Sequence, residues 1–290
     1  MQIHGHRGAR GRRPENTLAA LAYALENGAD GVEVDVCVTA DDRVVLHHDL
    51  RLNPAHTRGA RGEKISGDAL PAIRELPLAE LQSYDVGAAD NPDGARCRVP
   101  TLEECLEFLS AEKTKGAVLN LEMKGNWKLA REYPKSVFAR AQNRLLPAPE
   151  RYVSLVLESL RRMKFPLGRL LLQSFDWRLM LLAKKLRPEL KIGLTMEVEP
   201  SEKFSPPQLV KQHGGDVWSC EHTRLREAAV AEAHALGLEV CAWTVNDAAA
   251  MRRLRGWGVD VITTDDPAGC RGVVGGRENA PCRVETTRCR

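Results

Sequence analysis

Short apolar runs of strand length alternate eight times along this chain with longer stretches whose apolar residues recur at helical spacing. The strand-like runs fall near Ile3–His6, Gly31–Val38, Ala117–Met123, Leu170–Ser174, Lys191–Met196, Asp216–Ser219, Glu239–Thr244 and Val261–Thr264. Such alternation implies parallel pairing, because a crossover must carry the chain back before each new strand starts. Eight units imply an α/β chain closed into a (β/α)8 TIM barrel, with an open doubly wound sheet as the alternative that periodicity leaves standing.

Local signals sharpen the helices. Leu18, Leu21, Ala22 and Leu25 share one face of a helix expected from Thr17 to Asn27. Thr101 with Glu104 reads as a capping box. Helical pattern is expected over 135–164, interrupted at Pro147 and Pro149. Val44–His48 reads as an extension of the second strand after a turn at Ala40–Asp42. Two stretches escape the alternation. Residues 51–98, rich in Gly, Pro, Asn and Asp, read as a small insertion after the second strand. Residues 271–290 have few large apolar side chains and read as a disordered tail, leaving 1–270 as a single barrel domain.

Composition bounds the function class. With 43% hydrophobic residues the chain has material for one large core, and no apolar run is long enough to span a bilayer. The N-terminus has no apolar stretch after its charges, so a cytoplasmic location is expected. The net charge of +3 is carried by the tail, whose five Arg and two Glu account for all of it. A formally neutral body argues against a nucleic-acid surface. The eight cysteines form no CxxC pair, and free thiols, several of them buried, are expected.

Polar residues concentrate at the strand ends: His6 and Arg7, Glu33 and Asp35, His48, and Glu122 with Lys124. Side chains alternate along a strand, so Glu33 and Asp35 share a face, as do Asn120, Glu122 and Lys124. Val32, Val34 and Val36 suit the helix-covered outside, which turns the acids inward. A barrel gathers the C-terminal ends of its strands at one rim, so three carboxylates from two strands converge there. Close carboxylates repel unless a cation sits among them, and an all-oxygen donor set suits one divalent Mg²⁺ or Ca²⁺ better than zinc. Spacing alone does not choose between His47 and His48, and each group taken singly has a structural reading.

The segment HRGARGRRPENTLAAL resembles the HRG…PENT opening of the glycerophosphodiester phosphodiesterase family. GVEVDVCVTADDRVVLHHDL is similar to that family's GxExDVxxTxDxxxVxxHD stretch in residue type and spacing, and LNLEMK, LLQSFDW, VCAWTVN and GVDVITTDDP follow in the expected order. RLNPAHTR and LAELQSYDVG are similar to bacterial members. The resemblance covers roughly residues 3–267. It implies a TIM barrel with an insertion after the second strand and an enzyme acting on a small-molecule glycerophosphodiester. It implies His6 and His48 as catalytic histidines, which selects His48 over His47. It further implies Glu33, Asp35 and Glu122 as metal ligands, and Arg7 and Lys124 as phosphate-binding residues. Trp243 falls near the substrate; a core role for it is equally compatible, and the same holds for Gln173 and Asn246. The implied reaction yields sn-glycerol 3-phosphate and an alcohol. A lysophospholipase D or a cyclising phospholipase on the same scaffold is the competing expectation.

Overall fold

Strand β1 (Gln2–Gly5) pairs in parallel with β2 (Gly31–Val38) on one side and with β9 (Val261–Thr264) on the other, and that double pairing closes the sheet. Between them run β8 (Glu239–Trp243), β7 (Val217–Glu221), β6 (Ile192–Met196), β5 (Leu170–Ser174) and β4 (Val118–Met123), each parallel to its neighbours. Among the described residues, the computed structural model therefore holds a closed (β/α)8 barrel of eight parallel strands. The structure describes residues 1–66, 70–87, 94–125, 145–196 and 204–275.

One strand departs from the sequence expectation. Val44–Leu46 forms β3, which folds back antiparallel along β2, Val36 facing Leu46 and Val38 facing Val44. It is not a continuation of β2. The cause lies in β1, which reaches only Gly31 and Val32, so the last residues of the longer β2 would have a bare edge. β3 covers that edge and satisfies its ladder. His48 consequently sits in the loop beyond β3 rather than within a strand.

Helices pack outside the barrel, and their starts follow from the sequence. Thr17, Thr101, Asp176, Ser205, Asp247 and Asp266 each accept a backbone N–H of the first turn that follows. Thr101 and Glu104 form the expected capping box. Val32, Val34 and Val36 are buried in the main core with helix residues such as Leu21, Leu106 and Leu254. Inside the barrel, Leu171, Val217, Cys241 and Val261 form a separate small cluster at the lower end. Residues following β3 carry a short 3₁₀ turn (Ile73–Glu75) and one helical turn (Leu78–Leu81). Leu52, Ile73, Leu81, Val86 and Val99 close over Cys37 and Val45, a second core for the inserted segment.

Two sequence boundaries shift. The helix Pro149–Arg162 begins with Pro149 in its first turn, where a missing N–H costs nothing; the rest of the expected helical stretch at 135–144 lies outside the described residues. The tail does not begin at 271, because the helix Pro267–Val274 runs on and Arg271 donates to Gly28 O and to Asp30. Residues 276–290 lie outside the described residues. Cys37, Cys105, Cys220, Cys241 and Cys270 are buried free thiols, and Cys97 is half-buried; Cys282 and Cys289 are outside the described residues. No described helix is long and apolar enough to cross a membrane.

Candidate active site

The C-terminal rim of the barrel opens into a cavity of about 380 Å³. His6, Arg7, Glu33, Asp35, His48, Glu122, Lys124 and Trp243, all singled out from sequence, line it. Gln173 lines it as well, whereas His47 does not. His47 is half-buried, its Nδ1 held 2.7 Å from Asp49 O. Asn246 is exposed at the edge of the rim.

β2 and β4 run side by side with Asp35 in register with Glu122, and this register brings the acids together. One carboxylate oxygen from each of Glu33, Asp35 and Glu122 lies within 4.8 Å of the others. All three side chains are buried. Burial, with Asp35 and Glu122 beside it, pushes the Glu33 carboxyl well above the usual carboxylate range. Burial also acts to raise Asp35, but Lys124, His48, Arg7 and Asn16 outweigh it and hold that carboxyl far below. Lys124 Nζ lies 2.6 Å from Glu122 and 3.3 Å from Asp35. Although burial alone would lower the Lys124 ammonium, those acids raise it.

Left-handed backbone shapes the other wall. Arg7 (φ 51°) and Gly8 (φ 85°) turn the chain sharply after β1. The turn aims the Arg7 N–H at Glu33 Oε2, 2.9 Å away. Asn16, also left-handed at φ 55°, donates to Asp35 Oδ2 at 2.9 Å and accepts the Asp35 N–H at 3.1 Å. Asparagine tolerates this conformation better than most residues. Arg7 Nη1 donates to both oxygens of Glu15, whereas its buried Nε has no hydrogen-bond partner and lies 3.5 Å from Asp35. Burial opposes the Arg7 charge, but Asp35, Glu15 and Glu33 raise its pKa overall.

Each imidazole in the cavity turns Nδ1 towards an aspartate. His6 Nδ1 is 2.6 Å from Asp265 Oδ1, and His48 Nδ1 is 2.8 Å from Asp49 Oδ1. Across the cavity Trp243 meets Phe175 edge to face at 5.5 Å. Sequence reasoning assigned no role to Arg10, Glu15, Asn16, Phe175 or Asp265. Glu15 and Asn16 stand in the PENT stretch and Asp265 in the TTDDP stretch, so the signal lay in motifs already noticed.

The donor set fits a hard divalent cation. Three buried carboxylates face one another, two fixed cations leave an excess of negative charge among them, and every donor is oxygen. Glu33, whose charge is the most disfavoured of the three, is the ligand whose ionisation such a cation would restore.

The family model described as glycerophosphoryl diester phosphodiesterase matches residues 6–269. A glycerophosphodiester phosphodiesterase of Caldanaerobacter subterraneus subsp. tengcongensis is 29% identical over 268 residues, covering 91% of this chain and 94% of that protein. A solved structure from Silicibacter pomeroyi DSS-3 superposes with a TM-score of 0.82 at 32% identity, covering 94% of this chain and 92% of that one. A phosphodiesterase of Oleispira antarctica, solved with the product sn-glycerol-3-phosphate, superposes with a TM-score of 0.76 at 27% identity, covering 95% of this chain and 97% of that one.

Proposed function

The chain belongs to the glycerophosphoryl diester phosphodiesterase family, and on that footing we propose that it hydrolyses glycerophosphodiesters to sn-glycerol 3-phosphate and an alcohol at the barrel rim, with His6 and His48 moving the protons. One observation carries this reading: two imidazoles, two cations and a triad of carboxylates line a single cavity. The product bound to the Oleispira antarctica relative supports the glyceryl side of the substrate.

A phosphodiester is an anion that repels nucleophiles, so its charge must be offset before attack. Arg7 and Lys124 supply fixed positive charge, and the unpartnered Nε of Arg7 is a donor available to a phosphate oxygen. Glu33, Asp35 and Glu122 would hold a divalent cation, Mg²⁺ or Ca²⁺, which when bound supplies Lewis-acid charge neutralisation. Neutral imidazole takes a proton and imidazolium gives one near neutral pH, so the two histidines divide the roles of base and acid. Each has Nδ1 engaged by an aspartate, which leaves Nε2 as the nitrogen for substrate. Trp243 and Phe175 form an apolar wall that borders the reacting groups.

The test is release of glycerol 3-phosphate from glycerophosphocholine and glycerophosphoethanolamine, with chelator and then with Mg²⁺ or Ca²⁺ restored separately. His6→Ala and His48→Ala are each expected to lose nearly all turnover. Full activity in either variant removes its histidine from the mechanism, and undiminished cleavage in chelator removes the cation.

A further inference from the structure

His6 is held by a residue 259 positions away. Strand β9 lies beside β1 with Thr264 facing Gly5, so the residue after β9 comes level with the residue after β1. Asp265 thereby reaches His6, and its own position is fixed from several directions. Asn246, on the loop after β8, donates to Asp265 Oδ2 at 2.7 Å. The same amide accepts the Asp265 N–H at 2.9 Å and the Thr264 hydroxyl at 3.1 Å. Gly11 N–H closes on Asp265 O at 3.1 Å, and His6 N–H closes on Thr264 O at 2.8 Å. Imidazole, carboxylate and amide thus form one chain of hydrogen bonds across three neighbouring strand ends.

We propose that Asp265, clamped by Asn246, is a positioning residue that sets the tautomer and orientation of His6 for catalysis. The inference rests on the catalytic reading of His6 given above. An ionised carboxylate only accepts, so Nδ1 must carry the proton of neutral His6, and Nε2 keeps its lone pair towards the cavity. Burial acts to raise the Asp265 carboxyl, but His6 and Asn246 outweigh it and keep it ionised. The arrangement recurs at the other histidine: Asp49 binds His48 Nδ1 through Oδ1 and receives Asn53 Nδ2 on Oδ2 at 3.1 Å. Two imidazoles, one held locally and one across the barrel seam, carry the same support. The Asp265 side chain is 25% exposed and that of Asp49 42%, so solvent replaces Asp265 less well.

Asp265→Asn is nearly isosteric but offers an amide that can donate to Nδ1 and favour the wrong tautomer. In a catalytic triad an exchange of this kind lowers kcat by about 10⁴-fold, and here a loss on the order of 10²–10⁴-fold is expected. KM should stay close to that of the parent protein. Asp265→Glu, which restores an ionised acceptor, should recover part of kcat, and Asn246→Ala should fall between. Nitrogen-15 spectra of ring-labelled histidine supply a readout independent of turnover: neutral His6 should show a protonated Nδ1 in the parent protein and a protonated Nε2 or a mixture in Asp265→Asn. Melting curves confirm that each variant is folded, and Asp265→Glu carries the test if Asp265→Asn is not. An Asp265→Asn protein with parental kcat and an unchanged His6 tautomer overturns the inference, while a dead His6→Ala protein leaves the catalytic reading intact. An active His6→Ala protein overturns the catalytic reading of His6 and with it any role of Asp265 in turnover, and the nitrogen spectra then report separately whether Asp265 orients the ring.

Discussion

Replacing Glu33 by Gln tests the carboxylate triad through stability rather than turnover. Two unit charges 4.8 Å apart, the outer limit among these oxygens, repel by about 3.5 kcal/mol at an effective dielectric constant of about 20. Lys124 and Arg7 offset part of this, and protonation of Glu33 offsets more, which is why its pKa is raised. Gln keeps the shape and can still accept the Arg7 N–H bond of 2.9 Å. In cation-free buffer Glu33→Gln should therefore melt no lower than the parent protein. Added cation should behave oppositely. At a concentration of about 100 Kd it stabilises the parent by about 2.7 kcal/mol, or roughly 5 °C at about 2 °C per kcal/mol for a barrel of this size. Glu33→Gln lacks that ligand and should lose most of the shift. The assay is a thermal melt of both proteins in chelator and in a Mg²⁺ or Ca²⁺ series. A variant that keeps the whole shift, or that melts far lower in chelator, refutes the argument that Glu33 is a repelled carboxylate awaiting a cation.

Two further perturbations probe how the site is supported. His4, fully buried inside the barrel, has its pKa lowered to about 4 by burial, with Lys191 adding to the effect and Asp30 opposing it. The unfolded chain takes up that proton first, at its ordinary value of 6.5, so stability present above that pH is lost as pH falls towards 4, by about 3 kcal/mol in all. Urea unfolding of parent and His4→Gln proteins at about pH 7 and about pH 4 should show a shallower acid loss in the variant; equal slopes count against His4 as the group. Gly8→Ala meets a left-handed φ of 85° and puts a Cβ 2.7 Å from Ala20. It should cost about 2 kcal/mol or more in urea unfolding, and kcat should fall with it because His6 and Arg7 form the same turn. A variant as stable and active as the parent would show that the turn relaxes freely.

Particular residues show how far sequence reasoning reached. The parity of Glu33 and Asp35 in a strand of valines was enough to aim both acids inward, and the structure buries them as neighbours with Val32, Val34 and Val36 on the helical side. The capping box at Thr101 and Glu104 likewise announced its helix. The reversal of Val44–Leu46 was not legible, because a short apolar run reads the same in either direction and only the short reach of β1 leaves an edge for it to cover. Nor did local pattern separate His47 from His48. Resemblance pointed to His48; in the fold His47 Nδ1 is held by Asp49 O, while His48 lines the cavity.

The chain's own order of residues determined the number of strand–helix units, the inward face of each strand and the positions where carboxylates would stand. Those are consequences of short-range geometry, with periods of two and 3.6 residues that any stretch of chain must obey. The tertiary structure alone decided which distant groups meet: Asp265 with His6, Asn16 with Asp35, Phe175 with Trp243. Closing the sheet sets the register between β9 and β1, and a side chain's partner across that seam depends on the whole ring of strands rather than on its neighbours in sequence.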